Sequence, residues 1–287
     1  MDEQSQNQNI ELKLLLEAID LKYGYDFRNY AQASIRRQIL QLLDDSGLNS
    51  ISELQHKILY DEKYFEQLLI HLSIHVTEMF RDPGVYQAIR EQVLPLLKEH
   101  AHVKIWHAGC STGEEVYSLA ILLHEEGLYS KTQIYATDFN EAIINKAREG
   151  IYPLGCMKGY IINYQKSGGR GSFTDYYTAR YEFVKMRSYL KSNIIFSDHN
   201  LVTDGVFGEM DLIFCRNVLI YFNRDLQNRV MRLFRDSLYP GGFLCIGAQE
   251  SVRFTACSQE FEDYVKSAKI YRKKAGLPES AAKSETM

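Results

Sequence analysis

The sequence of 287 residues lacks the features that mark disulfide-rich, metal-binding or membrane-spanning chains. Its five cysteines form no CxxC pair and leave one over. No run of about 20 apolar residues could cross a bilayer, and the polar, acidic N-terminus has no signal-peptide pattern. HExxH, Cys/His clusters and a Ser-His-Asp signature are also missing. We therefore expect a reducing, cytoplasmic location and no requirement for a metal.

The sequence also lacks the basic surplus of a protein that coats nucleic acid. Its 33 Lys and Arg residues against 37 Asp and Glu residues give a formal net charge of −4. The charge is unevenly distributed, because residues 1–76 have a net charge of −5 and residues 151–193 have +5 with seven of the 20 tyrosines. The hydrophobic content of 45% is typical of a globular chain. We expect a folded protein with a basic, tyrosine-rich surface at residues 151–193.

Hydrophobic periodicity divides the chain into a helical part and an α/β part. Over residues 1–76, leucine and isoleucine recur at helical spacing without a strand pattern. After a linker and one connecting helix at 77–99, short apolar strands alternate with amphipathic helices over 100–275, which predicts a doubly wound, mostly parallel α/β sheet. Residues 151–193 break the alternation and are interpreted as an inserted small β-sheet. The small, polar residues 276–287 predict a disordered tail.

A glycine-containing loop and an acidic residue indicate a nucleoside ligand. Gly109-Cys110-Ser111-Thr112-Gly113 follows a predicted strand and opens a helix, where backbone N–H groups can face a ligand. Glu114 and Glu115 follow in place of a phosphate-binding lysine, which disfavours a pyrophosphate and suits a cationic group. Asp138 ends the next strand, where an acidic residue can accept hydrogen bonds from ribose hydroxyls. Each feature alone could be an ordinary turn or helix cap, but together they favour an adenosine ligand.

Further polar residues lie at a predicted strand exit and in the linker. Arg216 and Asn217 follow an apolar strand at the sheet edge where α/β folds bind ligands, so a functional role is favoured over a core role. Tyr221 follows on the same segment and could also cover the surface. Arg81 alone would be interpreted as an exposed linker residue. His107, inside an apolar strand, is interpreted as a core histidine with satisfied hydrogen bonds.

Together these segments resemble the CheR-type chemotaxis receptor methyltransferases, which use S-adenosylmethionine. The resemblance runs from about residue 10 to 273 and implies a class I S-adenosylmethionine-dependent methyltransferase fold with a small all-α N-terminal domain and an inserted small antiparallel β-subdomain. His75 stands where the family usually has an asparagine. The matching segments are VTEMFRDP (76–83), GCSTGEEVYSLAI (109–121), ATDFN (136–140), NL (200–201), FCRNVLIYF (214–222) and YPGG (239–242).

The resemblance implies methyl transfer to glutamate side-chain carboxylates on the cytoplasmic helical domain of chemoreceptors, with S-adenosylhomocysteine as product and no metal. Some family members also bind a receptor C-terminal tail peptide at the β-subdomain, a contact that the resemblance leaves open. A monomer is expected. Arg81 and Tyr221 would serve the transfer. The residues carried over for the cofactor are His75, Thr77, Arg81, Gly109, Glu115, Asp138, Asn200, Leu201, Arg216 and Asn217.

Specific roles follow for three of these positions, and alternatives stay open. Asp138 would hold the ribose, Glu115 would lie near the ammonium or sulfonium end of the cofactor, and Arg81 could orient the acceptor carboxylate. A methyltransferase of the same fold could instead act on another protein, a small molecule or RNA. A signalling module could bind the cofactor without turnover. A hydride-transferring enzyme is disfavoured because the two glutamates after the glycine loop would face its pyrophosphate.

Overall fold

Four helices form the N-terminal part of the structure, a computed structural model that describes residues 3–72 and 77–275. Leu15, Ile39 and Leu54 point into a shared core and are completely or almost completely buried. The first helix stops at Gly24, whose φ of +74° is in the left-handed region that favours glycine. The prediction of an all-α N-terminal part is confirmed. The helices are α1 (Glu3–Tyr23), α2 (Gln32–Asp45), α3 (Ile51–Tyr60) and α4 (Glu62–Leu72).

The connecting helix is interrupted by a wider turn. It consists of α5 (Pro83–Ala88), a π-helical turn (Ile89–Val93) and α6 (Leu94–Leu97). In this turn the Leu94 N–H donates to the Ile89 carbonyl, five residues earlier. Because a proline in a regular helix clashes with the carbonyl four residues before it, the wider turn makes room for Pro95. The sequence predicts one regular helix here and does not reveal the interruption.

The α/β part of the described chain contains ten strands and four further α-helices. The helices are α7 (Glu114–Glu125), α8 (Glu141–Glu149), α9 (Met157–Lys166) and α10 (Arg224–Asp236). The strands are β1 (Val103–Ala108), β2 (Thr132–Asp138), β3 (Ile151–Pro153), β4 (Tyr177–Arg180), β5 (Phe183–Met186), β6 (Ile194–Asp198), β7 (Met210–Cys215), β8 (Leu238–Ile246), β9 (Phe261–Val265) and β10 (Ile270–Lys273).

Seven of these strands form the main sheet, in the order β6-β2-β1-β7-β8-β10-β9. The pairs from β6 to β8 are parallel, and β10 is antiparallel to β8 and β9. The doubly wound, mostly parallel sheet is therefore confirmed. The order reverses between β1 and β7, and α/β folds bind ligands beyond the strand ends at such a point. The sequence predicts one strand near residues 268–272 and misses β9, a short edge strand with the acidic residues Glu262 and Asp263.

The sheet has a packed layer on each face. On β1, Ile105 belongs to a core that also contains residues of α5, α7 and the inserted segment. The adjacent Trp106 points the other way, into a core shared with α1–α4 and α10. This alternation follows from the two-residue period of a strand. The N-terminal helices therefore pack directly on the α/β part.

Residues 151–193 form a second sheet, as predicted, and a helix that is not predicted. The strands β3, β5 and β4 pair antiparallel in that order. The additional element is α9, which buries Met157, Tyr160 and Tyr164. Gly159 and the neighbouring isoleucines weaken its helical signal, because glycine and β-branched residues have low helix propensity.

Some expectations fall outside the described residues. The position of His75 and the tail at 276–287 belong to this group. The division at residues 76 and 77 also lies at the edge of the undescribed residues 73–76, and the domain boundaries stay a prediction.

Candidate active site

A cavity opens at the carboxyl ends of β1, β2 and β7 and has an empty volume of about 1020 Å³ including its mouth. That volume suits a nucleoside-sized ligand. The cavity brings together every described residue that the sequence analysis assigns to cofactor binding or transfer. These are Thr77, Arg81, Gly109, Glu115, Asp138, Asn200, Leu201, Arg216, Asn217 and Tyr221.

The glycine loop between β1 and α7 shapes one wall of the cavity. Gly109 has a φ of +72°, and a Cβ atom there would lie 2.6 Å from a methyl group of Val218. The loop therefore requires glycine at this position for both backbone conformation and space. Its Ser111 N–H donates to the Asp138 carboxylate at 3.0 Å. The loop and the end of β2 are thus fixed relative to each other.

The Asp138 carboxylate is buried at the end of β2. Burial raises its pKa, and the backbone N–H groups of Ser111 and Asn140 act in the opposite direction. The carboxylate can accept hydrogen bonds from hydroxyl groups of a ligand in the cavity. This is the geometry expected of a ribose-binding acid in an α/β fold.

Arg216 is the centre of a buried charge cluster at the end of β7. Its guanidinium donates to the carboxylates of Glu115 and Asp82 and, at 3.0 Å, to the Arg81 carbonyl. Tyr86 donates to Glu115 at 3.2 Å. Burial raises the pKa of Glu115, whereas the charges of Arg216 and Arg81 act in the opposite direction. The cluster joins two carboxylates to one guanidinium, and Glu115 and Arg216 line the cavity.

Tyr221 and Arg81 line the same cavity. Burial raises the pKa of Tyr221, and the nearby positive charge of Arg81 lowers it by less. The phenol therefore stays protonated at neutral pH and can donate a hydrogen bond. The Tyr221 carbonyl accepts from the Ala31 N–H at 2.8 Å. The segment between α1 and α2 thus supports the transfer side of the cavity.

Several buried polar atoms of the cavity residues have no hydrogen-bond partner among the residues that the structure describes. They are Ser111 Oγ, Asn217 Oδ1, Arg216 Nε and His199 Nδ1. Buried polar atoms are normally paired, so these atoms are available to a polar ligand. Together with the carboxylates of Glu115 and Asp138, this set fits a ligand that has hydroxyls, a cationic group and a carboxylate. The residues present therefore fit S-adenosylmethionine.

The cavity also has lining residues that the sequence analysis does not assign to it. Ser111 and Phe139 adjoin assigned residues, so their proximity could have revealed them. Tyr30 comes from the helical part, and no local pattern indicates that it packs against Phe222 at this cavity. The complete set of additional residues is Tyr30, Leu72, Cys110, Ser111, Phe139, His199, Val202, Val218, Ile220 and Phe222.

The structure confirms His107 as a core histidine but not the expected hydrogen bonds of its ring. The ring is buried and stacks on Phe214 with centroids 5.7 Å apart. Neither ring nitrogen has a partner within the described part of the chain. Burial, followed by the charge of Arg216, lowers the pKa of His107 to about 3. It is a neutral core histidine.

The described residues contain neither a metal-binding cluster nor a membrane-spanning helix. No group of three or more His, Cys, Asp or Glu side chains in 3–72 and 77–275 is arranged to hold a metal ion. No helix in those ranges has the length and apolar character needed to span a membrane.

The sheet order, the glycine loop and the acid at the end of β2 define a class I methyltransferase fold with a nucleoside-type cavity. The chain belongs to the CheR methyltransferase family. Residues 75–268 match the family model described as CheR methyltransferase, SAM binding domain. Residues 10–73 match the model described as CheR methyltransferase, all-alpha domain.

Two similar proteins match this chain over most of its length. A Pseudomonas putida protein named as methyltransferase Cher3 is 53% identical over 267 residues, which cover 93% of this chain and 98% of the relative. A chemotaxis protein methyltransferase of Listeria innocua is 32% identical over 231 residues, covering 80% and 85% of the two chains.

Solved methyltransferase structures are more distant. The N-methyltransferase NodS from Bradyrhizobium japonicum, in complex with S-adenosylhomocysteine, is 15% identical with a TM-score of 0.33, and the match covers 68% of this chain and 70% of NodS. PKMT2 from Rickettsia typhi is 14% identical with a TM-score of 0.35, and the match covers 60% of this chain and 26% of PKMT2.

Proposed function

We propose that this protein transfers a methyl group from S-adenosylmethionine to glutamate side-chain carboxylates on the cytoplasmic signalling helices of chemoreceptors. The products are glutamate methyl esters, formed in the cytoplasm during receptor adaptation. The observation that carries the proposal is that one cavity is lined by all ten described residues assigned to cofactor binding and methyl transfer. Membership of the CheR methyltransferase family supports it.

Two carboxylates and several neutral polar groups are proposed to hold the cofactor. Asp138 accepts hydrogen bonds from the ribose hydroxyls, and Glu115 lies beside the ammonium end. The unpaired Ser111 Oγ and Asn217 Oδ1 are further polar groups for the ligand. When bound, S-adenosylmethionine supplies an electrophilic methyl group on a sulfonium sulfur and leaves as S-adenosylhomocysteine.

The chain needs no general base for this reaction. A glutamate side chain has an ordinary pKa of about 4.3, so the acceptor carboxylate is already ionised at neutral pH. The remaining task is to remove water from the carboxylate and align it, and such alignment can lower a barrier by several kcal/mol. Arg81 orients the carboxylate through paired N–H donors. The protonated Tyr221 phenol positions the same group.

The inserted segment is the proposed site of partner capture. Residues 151–193 contain seven basic and two acidic residues, and β4 is an edge strand of the small sheet. Tyr181, between β4 and β5, is 82% exposed, and Phe183, the first residue of β5, is 54% exposed. An exposed strand edge can pair with an extended peptide, so a receptor tail peptide is a second candidate ligand of this sheet. Replacing Arg180 and Lys185 by glutamate should weaken partner binding, and unchanged binding would contradict this part of the proposal.

The chemistry of the product tests the proposal. The protein is incubated with methyl-labelled S-adenosylmethionine and a chemoreceptor cytoplasmic fragment, and the labelled fragment is then treated with mild alkali. Glutamate methyl esters release labelled methanol, whereas N-methyl groups remain attached. Substitution of the acceptor glutamates by alanine is the matched control. Alkali-stable label on the fragment would contradict the carboxylate assignment.

A further inference from the structure

The turn that carries Arg81 into the cavity has an uncommon backbone. Phe80 and Asp82, on either side of Arg81, both have a φ of +54°. This left-handed region is unfavourable for residues with a side chain, and two such residues in one turn persist only where the surroundings hold them. The contacts of the turn therefore decide where Arg81 points.

Residues of α7 and the end of β7 hold the turn from one side. The Phe80 N–H donates to Ser118 Oγ at 2.8 Å, and the Ser118 hydroxyl in turn donates to the Glu114 carbonyl at 2.7 Å. Arg216 donates to the Arg81 carbonyl at 3.0 Å and to the Asp82 carboxylate. These contacts come from α7 and from the residue that follows β7.

The inserted segment holds the turn from the other side, at the same Met79–Phe80 peptide group. Asn163 on α9 donates from Nδ2 to the Met79 carbonyl at 3.1 Å. The Phe80 ring packs against Tyr164 at a centroid distance of 5.3 Å and against Phe173 at 6.2 Å. The segment therefore contacts both the backbone and a side chain immediately before Arg81. Asn163 itself is not among the residues that line the cavity.

We infer that Asn163 is a positioning residue for methyl transfer, through which the inserted segment fixes the direction of Arg81. The inference rests on the proposed function, in which Arg81 orients the acceptor carboxylate. Without the Asn163 donor, the left-handed conformation of Phe80 loses a restraint on its N-terminal side. Arg81 then samples directions that do not face the acceptor. Small misplacements of an orienting group are enough to slow a reaction strongly.

A double-mutant cycle with Arg81 tests this inference. Asn163→Leu and Asn163→Asp both remove the N–H donor, Asn163→Gln keeps it, and Gln165→Leu is an exposed control on the same helix. We expect the first two to slow methyl transfer by about tenfold or more, and the last two to slow it by less than about threefold. Combined with Arg81→Lys, Asn163→Leu should add no further loss, because both changes act on one group. Losses that multiply, or a wild-type rate in both donor-less variants, would overturn the inference.

Hydrogen exchange gives a second readout that does not depend on turnover. Backbone amides of residues 77–82 should exchange faster in Asn163→Leu than in the wild type, whereas Gln165→Leu should leave them unchanged. Equal exchange in all three proteins would overturn the inference. Failure of the proposed function has a different signature, because the wild type then forms no alkali-labile ester while the exchange comparison still gives its answer.

Discussion

The two ends of α7 each have a pair of glutamates, but the two pairs have different surroundings. Glu114 and Glu115 lie at the N-terminal end beside the glycine loop, and Glu125 with Glu126 lies at the C-terminal end. A helix dipole favours negative charge at its N-terminus and disfavours it at its C-terminus. The second pair therefore needs more support from its neighbours than the first.

The C-terminal pair has that support. Arg90 donates to Glu125 and Glu126 at 2.6 Å each. Tyr176 donates to Glu125 at 2.8 Å, and Tyr164 contacts the same carboxylate. Burial alone raises the pKa of Glu125, but the hydrogen bonds from Tyr164, Arg90 and Tyr176 together lower it below the usual value. This end of α7 thus attaches the inserted segment to the core.

The N-terminal pair has fewer internal partners, and one of its members, Glu115, lines the cavity. Burial raises the pKa of Glu114 to about 7 and also raises the pKa of Glu115. Arg216, the main partner of Glu115, lines the cavity, whereas Arg90 is not among the cavity residues. Similar glutamate pairs thus attach the inserted segment at one end of α7 and lie at the candidate cofactor site at the other end, where we propose that Glu115 faces the ligand. Four predictions test this difference.

Arg216→Met should have the largest effect of the four. It leaves Glu115 buried without its main partner and releases the Arg81 carbonyl. We expect methyl transfer to fall by roughly 10³-fold and the affinity for S-adenosylhomocysteine by about 100-fold. Kinetics and calorimetry below the unfolding temperature measure both. Wild-type affinity in the folded variant would contradict a cofactor role for this end of α7.

Arg90→Met removes the partner of Glu125 and Glu126 at the C-terminal end of α7. It should lower the stability of the protein and leave cofactor binding intact. Removing one partner of a buried ion pair lowers the free energy of unfolding by about 3 kcal/mol. The Arg90 side chain is 7% exposed, so solvent screens this pair little. Affinity of the folded protein for S-adenosylhomocysteine should stay within about twofold of wild type. Denaturant unfolding measures the change in stability, and calorimetry measures the affinity. A large loss of affinity would contradict the different roles of the two ends of α7.

Glu114→Gln should change the pH dependence of stability. The folded-state pKa of about 7 lies above the ordinary value, so the folded protein keeps a proton that the unfolded chain loses as pH rises. Wild-type stability therefore decreases between about pH 4.5 and 7 through this group, and glutamine removes that decrease. Relative to wild type, the variant should gain about 2 kcal/mol in unfolding free energy between pH 5 and pH 8. A difference that stays constant over this range would exclude the shifted pKa.

Tyr176→Phe should have the smallest effect. It removes one of several hydrogen bonds to Glu125, so we expect a loss of about 1 kcal/mol in unfolding free energy. Methyl transfer and cofactor affinity should not change. Urea unfolding with parallel activity assays checks this, with exposed Tyr181→Phe as the control. A change in cofactor affinity would mean that the two ends of α7 are not independent.

The part of the site that the sequence predicts follows from one rule of α/β folds. Gly109 and Arg216 each follow a strand and Asp138 ends one, and the carboxyl ends of neighbouring parallel strands meet at one edge of the sheet. Their convergence can therefore be expected without a structure. The sequence motifs around these residues resemble those of the CheR-type enzymes, and this resemblance predicts the remaining cofactor-binding residues.

The remaining features depend on tertiary packing. Tyr30 reaches the cavity because α1–α4 pack on the sheet face, and no local pattern encodes that contact. The helix α9 buries Tyr160 and Tyr164 despite weak helix propensity, so packing overrides local preference. His107 has no hydrogen-bond partner in the described ranges, and an apolar strand pattern cannot reveal whether a buried imidazole is paired. Nor does the sequence distinguish the two glutamate pairs of α7.

The central claim is that the N-terminal end of α7 faces the cofactor and the C-terminal end does not. A crystal structure of the protein with S-adenosylhomocysteine tests it most directly. The account predicts ligand density in the cavity at the ends of β1, β2 and β7, with ribose hydroxyls at Asp138 and the amino-acid end beside Glu115. Density near Glu125 instead, or a ribose out of hydrogen-bond reach of Asp138, would contradict it.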